Sequence, residues 1–397
     1  MSARPAPRPT RAQHPSHPAL KVAGVAGAVL GLAAAGTAVG IAASRAATRR
    51  VREAQPARDS RSAAELREDD PLGPAARRAD RGALVQASDG VLLAVEEVGP
   101  RDAPLTVVFV HGYALSMASW TFQRTALGEQ VATANGHRPP ARLVFYDQRG
   151  HGSSGRGAAE HATIEQLADD LATVLAARVP EGPVVLVGHS MGGMTIMGLA
   201  AARPELFGTR VVGVALVSTS SGNLAELSFG LPEALTRVRA AVLPLAAWTM
   251  RHRPRFAERT RRIAADVVSA ATWSLSFSST DIDPRLGGYV DAMIAGTPVD
   301  VIAEFYPALA GLDETGSLEP LRRVPVLVLT GAKDKMIPEQ HSELLVEHLG
   351  GPGHSVDHVV VPDAGHLVPL EKPADVTAAL GRLLRRVMAG QRDHAPR

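Results

Sequence analysis

The sequence predicts an α/β fold: a mostly parallel sheet of eight strands, with a helical cap inserted after the sixth strand. From residue 82 onward, short β-branched runs alternate with helical patterns, which is typical of successive βαβ units. Most of these runs are continuously apolar, as expected for parallel strands that are covered on both faces. Between residues 222 and 318 the strand-like runs disappear, and helical patterns with proline breaks take their place.

The predicted strands begin with an antiparallel pair. The turn dipeptide Asp89-Gly90 joins the first two runs, which is typical of a β-hairpin. Six continuously apolar runs follow, and they favour a parallel sheet. The predicted strands are 84–87, 91–98, 105–110, 143–146, 184–187, 211–217, 326–329 and 358–361.

Helical patterns fill the intervals between the apolar runs. Because βαβ crossovers are right-handed, these helices should cover both faces of one twisted sheet. The predicted helices are 118–134, 164–177, 191–202, 339–349 and 374–388.

The sequence also predicts the domain boundaries within residues 82–397, which we call the body. Residues 82–221 and 319–390 form the core, residues 222–318 the cap, and residues 391–397 a tail. The aromatic residues of the cap suit either its own core or the apolar wall of a substrate pocket. They are Trp248, Phe256, Trp273, Phe277, Phe305 and Tyr306.

Charge is divided unevenly between the N-terminal arm and the body. The whole chain has 42 basic and 40 acidic side chains. Residues 1–81 hold 14 and 7 of them, a net charge of +7, whereas residues 82–397 hold 28 and 33, a net charge of −5. An acidic body argues against nucleic-acid binding, which needs basic residues clustered on the folded domain. The chain has no cysteine, which excludes disulfides, thiolate metal sites and a cysteine nucleophile.

The arm contains an uncharged stretch, residues 22–44, that is long enough to span a bilayer as a helix. It is rich in Ala and Gly, so its insertion would be marginal. We favour a single-pass anchor in the cell membrane over a cleaved signal peptide or a soluble tail. Four basic residues precede the stretch and six lie in residues 45–61, which slightly favours a cytoplasmic body. Residues 1–20 are predicted to be disordered, and residues 45–81 to be a charged linker.

A G-x-S-x-G motif carries the candidate nucleophile. Gly188-His189-Ser190-Met191-Gly192 follows an apolar run and precedes a helical pattern. This strand–turn–helix setting is the one in which such a motif projects its serine hydroxyl above a sheet. A serine hydroxyl is a weak nucleophile, so a base must lie within hydrogen-bond reach of Ser190.

The candidate base and the candidate acid each follow a predicted strand. His366 lies in the loop after the last predicted strand, and Asp334 follows the strand before it. Their order along the chain, Ser, Asp, His, suits a triad in which the carboxylate orients the imidazole. Asp363 is the rival acid, but it lies three residues from His366 and is better explained by a bond within its own turn.

Backbone amides are expected to form an oxyanion hole. One donor is the N–H of Met191, directly after the nucleophile. The other comes from the loop His111-Gly112-Tyr113, where Gly112 permits an unusual turn and Tyr113 supplies the N–H. The Tyr113 ring is open to either lining the pocket or contacting the substrate.

Taken in order, these motifs resemble those of the α/β-hydrolase superfamily over residues 82–390. Ser190 separates the chain from epoxide hydrolases and haloalkane dehalogenases, which carry Asp at that position. The single His-Gly pair is more similar to the branch of esterases, lactonases, monoacylglycerol lipases and cofactor-free haloperoxidases than to HGGG lipases. The blocks that carry the resemblance are His111-Gly112, Asp147–Ser154, Gly188–Gly193, Asp334 and His366.

The leading hypothesis is a serine hydrolase that cleaves an ester, thioester or lactone with an apolar acyl part through an acyl-enzyme. The alternatives are a C–C bond hydrolase, an amide hydrolase or a perhydrolase on the same triad, and a non-catalytic binding protein of this fold. The sequence suggests no cofactor and no metal site. The expected partner is a small apolar substrate, and the oligomeric state stays open.

Overall fold

The computed structural model describes most of residues 70–393. The described residues are 70–73, 76, 78–132, 141–224, 248–263, 265–279, 281–351, 354 and 356–393. Among these residues, no helix is both long and apolar enough to cross a bilayer. Residues 22–44 lie outside the described residues, so the membrane anchor stays a prediction.

Eight strands of the described chain form one sheet, which confirms the predicted fold class. The spatial order is β1-β2-β4-β3-β5-β6-β7-β8; β2 is antiparallel to both of its neighbours, and all other pairs are parallel. The strands are β1 Arg81–Gln86, β2 Leu92–Val98, β3 Leu105–Val110, β4 Ala141–Tyr146, β5 Val184–His189, β6 Val211–Val217, β7 Val326–Gly331 and β8 Val356–Val361.

Helices occupy the crossovers and the insertion after β6. In the core they are α1 Thr121–Ala132, α2 Ile164–Arg178, α3 Met191–Ala202, α8 Glu339–Leu349, α9 Val368–Glu371 and α10 Pro373–Asp393. In the insertion they are α4 Pro254–Ile263, α5 Ala265–Ser276, α6 Pro284–Gly296 and α7 Val299–Ala310.

The sheet is covered on both faces, as its apolar strands require. Alternate residues of β5 point to opposite sides: Val184 and Leu186 join a cluster with α2 and α3, whereas Val185 and Val187 join one with α10. Strand β5 lies between β3 and β6 in the middle of the sheet. The residue that follows β5 therefore lies at the middle of the carboxyl edge of the sheet.

Two helix boundaries differ from the prediction for identifiable reasons. The first helix splits into a 3-10 turn at Met117–Trp120 and α1, because the Ser116 hydroxyl accepts a bond from the Ala118 amide and starts a tight turn. Helix α10 runs to Asp393, three residues beyond the predicted core boundary at 390. No helix breaker occurs before Pro396. The domain boundaries themselves stay a prediction.

The end of the predicted linker packs on the body. The Thr121 hydroxyl donates to the carbonyl of Pro71 at 2.9 Å, and Asp70 forms an ion pair with Arg285 of α6. The arm therefore reaches the fold beside α1.

Candidate active site

Ser190 lies in a sharp turn between β5 and α3. Its backbone has φ 52° and ψ −120°, a conformation that non-glycine residues rarely adopt. The turn packs against β3 only because residue 192 is glycine: a Cβ at Gly192 would lie 2.2 Å from the carbonyl oxygen of Val110. The Ser190 side chain is thereby held at the carboxyl end of the central strand.

The structure brings Ser190, His366 and Asp334 into one hydrogen-bonded chain. His366 Nε2 lies 3.1 Å from Ser190 Oγ, and His366 Nδ1 lies 2.9 Å from Asp334 Oδ2. All three residues are buried, with between 4% and 8% of their surface exposed. Since the carboxylate accepts from Nδ1–H, Nε2 is left to accept the serine proton.

Asp334 is itself held by the backbone that follows β7. Its Oδ1 accepts from the amides of Met336 at 2.9 Å and Ile337 at 2.8 Å, which leaves Oδ2 for His366. The rival acid, Asp363, points away: it is exposed and bonds Lys333 Nζ at 2.5 Å, and that ammonium lowers the pKa of its carboxyl.

The residues that carry the two expected oxyanion donors both lie near Ser190. Met191 is the first residue of α3, where an amide N–H has no intrahelical acceptor and favours negative charge. Tyr113 lines the same cavity as Ser190. In the described part of the chain, neither amide donates a hydrogen bond to another protein group.

The Tyr113 side chain links the core to the cap. Its hydroxyl donates to the carbonyl of Ile302 in α7, and burial raises the pKa of the phenol above its ordinary value. The phenol hydroxyl is therefore a neutral donor whose acceptor is the backbone of the cap, and Tyr113 also lines the cavity.

Three buried histidines near the site are neutral. Burial lowers the pKa of His111 to about 4, and the pKa of His151 and His189 to about 3. His189 Nε2–H donates to the carbonyl of His366 at 2.9 Å, which ties the nucleophile strand to the loop of the base. Sequence reasoning gave His189 no role.

The Asp147–Ser154 turn supports the oxyanion loop. The amide of Gln148 donates to His111 Nε2 at 2.9 Å, and its side-chain amide donates to the His111 carbonyl at 2.7 Å. Asp147 accepts from the amides of Met117 and Ser153, each at 2.7 Å. The turn acts through backbone geometry and not through contact with the reacting atoms.

Glu371, which sequence reasoning missed, clamps the loop of the base to the cap. Its carboxylate accepts from the amide of Gly365 at 2.7 Å and from the amide and hydroxyl of Ser278. A second link joins the Leu367 amide to the carbonyl of Ser276 at 3.1 Å. The detectable signal is a lone acid five residues after His366, at the end of the apolar stretch 367–370.

The cavity at Ser190 has a volume of about 520 Å³ and an apolar lining. None of the lining residues that the structure describes is Asp, Glu, Lys or Arg. The cap contributes aliphatic side chains to it, namely Val290, Ile294, Ile302 and Leu309. Such a cavity accommodates an uncharged apolar group next to the nucleophile.

The aromatic residues of the cap contribute little to this wall. Of the six that the sequence singled out, Tyr306 lines the cavity. Phe277 and Phe305 are buried in the core, and Trp273 donates its indole N–H to Asp291 at 3.1 Å. Trp248 and Phe256 are exposed on the outside of the cap.

Comparisons with known proteins identify the family of the chain. The alpha/beta hydrolase family model matches residues 107–380. The chain is 25% identical over 329 residues to the dihydrolipoyllysine-residue acetyltransferase component of the acetoin cleaving system of Pseudomonas putida, covering 80% of this chain and 71% of that protein. It is also 25% identical over 292 residues to 3-oxoadipate enol-lactonase 1 of Acinetobacter baylyi, covering 73% and 92%.

A solved structure, a thermophilic esterase from Thermogutta terrifontis, is similar to this chain with a TM-score of 0.58 and 27% identity. The match covers 77% of this chain and 99% of the esterase.

Proposed function

Because the chain belongs to the alpha/beta hydrolase family, we propose that it is a serine hydrolase that cleaves an ester, thioester or lactone through an acyl-enzyme. The observation that carries the proposal is the hydrogen-bonded chain from Asp334 through His366 to Ser190, which ends in an apolar cavity. A serine paired with a base, and a base oriented by an acid, is the arrangement that nucleophilic catalysis requires.

In the first half of the reaction, Ser190 Oγ attacks the substrate carbonyl while His366 Nε2 takes its proton. The imidazolium that forms is stabilised by Asp334, which stays ionised. His366 then gives the proton to the leaving group, and the acyl group remains on Ser190. In the second half, His366 activates water, which releases the acid and restores the serine.

The amides of Tyr113 and Met191 stabilise the tetrahedral oxyanion in both halves. A donor of this kind contributes about 2.7–4 kcal/mol to the transition state. The position of Met191 at the first turn of α3 adds the favourable end of the helix dipole.

The substrate class follows from the cavity wall. With aliphatic side chains from α6 and α7 and no charged lining residue among those described, the cavity favours an apolar acyl part. The lactonase and esterase among the similar proteins support ester-type bonds, since each is named for cleaving one.

A fluorophosphonate probe tests the mechanism. We expect it to label the full chain on Ser190, and we expect Ser190→Ala to abolish labelling. Ser88→Ala is the matched control, because Ser88 is an exposed serine of the hairpin turn whose hydroxyl donates to Asp169 of α2. Equal labelling of the Ser190→Ala variant, or labelling of neither protein, would contradict a serine hydrolase.

A series of p-nitrophenyl esters tests the substrate class. We expect kcat/KM to rise from acetate to medium-length acyl chains, and we expect matched anilides to react far more slowly. A preference for anilides would favour the amide hydrolase instead.

For the location of the enzyme, we propose that residues 22–44 anchor it in a membrane, with the body slightly favoured on the cytoplasmic side. Carbonate extraction of membranes should leave the full chain in the pellet. Leu30→Arg should release it, because a charge at the centre of a marginal span costs about 2.5–3.5 kcal/mol.

A further inference from the structure

The outer face of the cap presents two exposed aromatic side chains among arginines. Trp248 is 50% exposed and Phe256 is 55% exposed. They are the only aromatic residues among the exposed large apolar side chains of the described chain. We refer to these two residues with Arg251, Arg253, Arg255 and Arg259 as the basic aromatic patch.

The segment that carries the patch has a positive net charge, whereas the rest of the body has a negative one. Residues 248–263 hold six arginines and one acid, Glu258, a net charge of +5. The rest of residues 82–397 holds 22 basic and 32 acidic side chains, a net charge of −10. Positive charge is thus concentrated on one segment of an otherwise acidic body.

The arginines of the patch differ from their neighbour Arg261 in their contacts. Arg261 bonds Glu258 at 2.9 Å and three backbone carbonyls at 3.1–3.2 Å. The four patch arginines are exposed, and no acidic side chain of a described residue forms an ion pair with them. Their charges therefore face the solvent without an acidic partner among the described residues.

Helix α4 carries both kinds of contact. Arg255, Phe256 and Arg259 are exposed and lie within one turn of each other. Glu258 and Arg261 are half-buried, and Arg261 bonds the carbonyls at the end of α6. Exposed aromatic side chains beside basic ones are typical of a surface that meets a membrane interface.

We propose that the basic aromatic patch docks the cap onto the surface of an anionic lipid bilayer. The arginines would pair with lipid phosphates, and the Trp248 and Phe256 rings would enter the interfacial region. A flat lipid surface can contact the patch alone, whereas a long nucleic acid would extend over the rest of the body, whose net negative charge would repel it.

Docking at this point would place the reaction cavity beside the lipid. Arg261 Nη1 donates to the carbonyl of Ile294, and the Ile294 side chain lines the cavity at Ser190. An apolar ester dissolved in the bilayer would then lie close to the cap wall. The docking itself requires no hydrolysis, so it can be tested apart from the proposed function.

Quenching of Trp248 by brominated lipids tests the docking in the full chain. We expect phosphatidylglycerol vesicles with brominated acyl chains to quench the emission of the parent protein, and to quench Trp248→Phe much less. Phosphatidylcholine vesicles should quench weakly, and added salt should reduce the effect. Because the readout is local to Trp248, binding through residues 22–44 cannot imitate it.

Removing arginines from the patch distinguishes docking through the patch from a general attraction of the protein to anionic vesicles. Arg255→Gln with Arg259→Gln should weaken the vesicle-dependent quenching about 25-fold in lipid concentration, since one arginine contributes about fivefold at an anionic surface. Arg101→Gln with Arg203→Gln removes the same charge at the amino edge of the sheet. This control variant should change the vesicle-dependent quenching little. All four proteins should give the same far-UV circular dichroism spectrum and the same midpoint of urea unfolding, which shows that they are folded.

Three outcomes would overturn the proposal. One is equal quenching of the parent and Trp248→Phe by anionic vesicles. Another is an equal loss in both double-arginine variants. The third is a patch-dependent affinity for DNA with no patch-dependent effect of vesicles, which would assign the patch to a nucleic acid instead.

Discussion

The two walls of the reaction cavity are built in different ways. The core wall holds polar groups at strand ends, fixed by contacts such as the 2.9 Å bond between His366 and Asp334. The cap wall is mostly aliphatic: α6 and α7 supply side chains such as Ile294 and Ile302, and α5 adds Leu275. Under the proposed function, bond cleavage and substrate selection therefore belong to separate layers of the fold, which can be changed independently.

The largest effect should come from the acid of the core wall. Asp334→Asn should lower kcat about 10⁴-fold, because the amide favours the wrong imidazole tautomer. The loss should be the same for short and long acyl esters in steady-state assays. Asp363→Asn is the control, since that carboxylate is exposed and pairs with Lys333. A loss that depended on chain length would break the separation of the walls.

The core wall should also make the protein sensitive to acid. The pKa of His111 is lowered to about 4, and the pKa of His151 and His189 to about 3, whereas an unfolded histidine titrates near 6.5. As the pH falls below about 6.5, the unfolded state therefore takes up protons that the folded state does not. Stability is highest above this pH and falls by about 1.4 kcal/mol per pH unit for each histidine.

Urea unfolding at pH 7.5, 6 and 5 measures this loss. His151→Asn keeps a donor for the Arg149 carbonyl and should reduce the pH slope by about one proton. A slope that does not change in this variant would mean that His151 is not buried in its neutral form.

Glu371 joins the two walls, so its loss should affect both. Glu371→Ala removes the acceptor for the Gly365 and Ser278 amides and should lower kcat/KM about tenfold to a hundredfold. Glu371→Gln keeps one acceptor oxygen, so it should retain part of the kcat/KM that the alanine variant loses. The pH profile should shift in the alanine variant because His366 loses its support. An unchanged profile with an equal loss in both variants would indicate a structural role only.

The smallest effect should come from the cap wall. Ile294→Ala should lower kcat/KM for a long acyl ester about threefold to tenfold, because one or two methylene contacts with the acyl chain are lost. The kcat/KM for the acetate ester should stay unchanged. Leu344→Ala, an exposed change on α8, is the control. An equal loss for both esters would contradict the assignment of selection to the cap.

The sequence predicted the core well because its signals are local. Apolar runs mark the strands, and the turn after β5 requires small residues such as Gly192, so the surroundings of Ser190 could be recognised from the chain alone. Asp334 and His366 could be found because each follows a strand that ends at the same edge.

The cap could not be predicted to the same depth because its contacts are between distant segments. The bond from Tyr113 to Ile302 joins residues 189 positions apart, and those from Glu371 to Ser278 join residues 93 positions apart. No periodicity reveals which helical face will line a cavity. The aromatic residues therefore suggested a wall that aliphatic residues such as Ile294 supply.

The backbone of Ser190 sets stability against activity in this protein. A non-glycine residue at φ 52° and ψ −120° costs on the order of 1–3 kcal/mol. Glycine would relieve much of that cost, so Ser190→Gly should raise the free energy of unfolding by about 1 kcal/mol while removing the nucleophile. At this position, the hydroxyl that the proposed mechanism requires is kept at the expense of conformational stability.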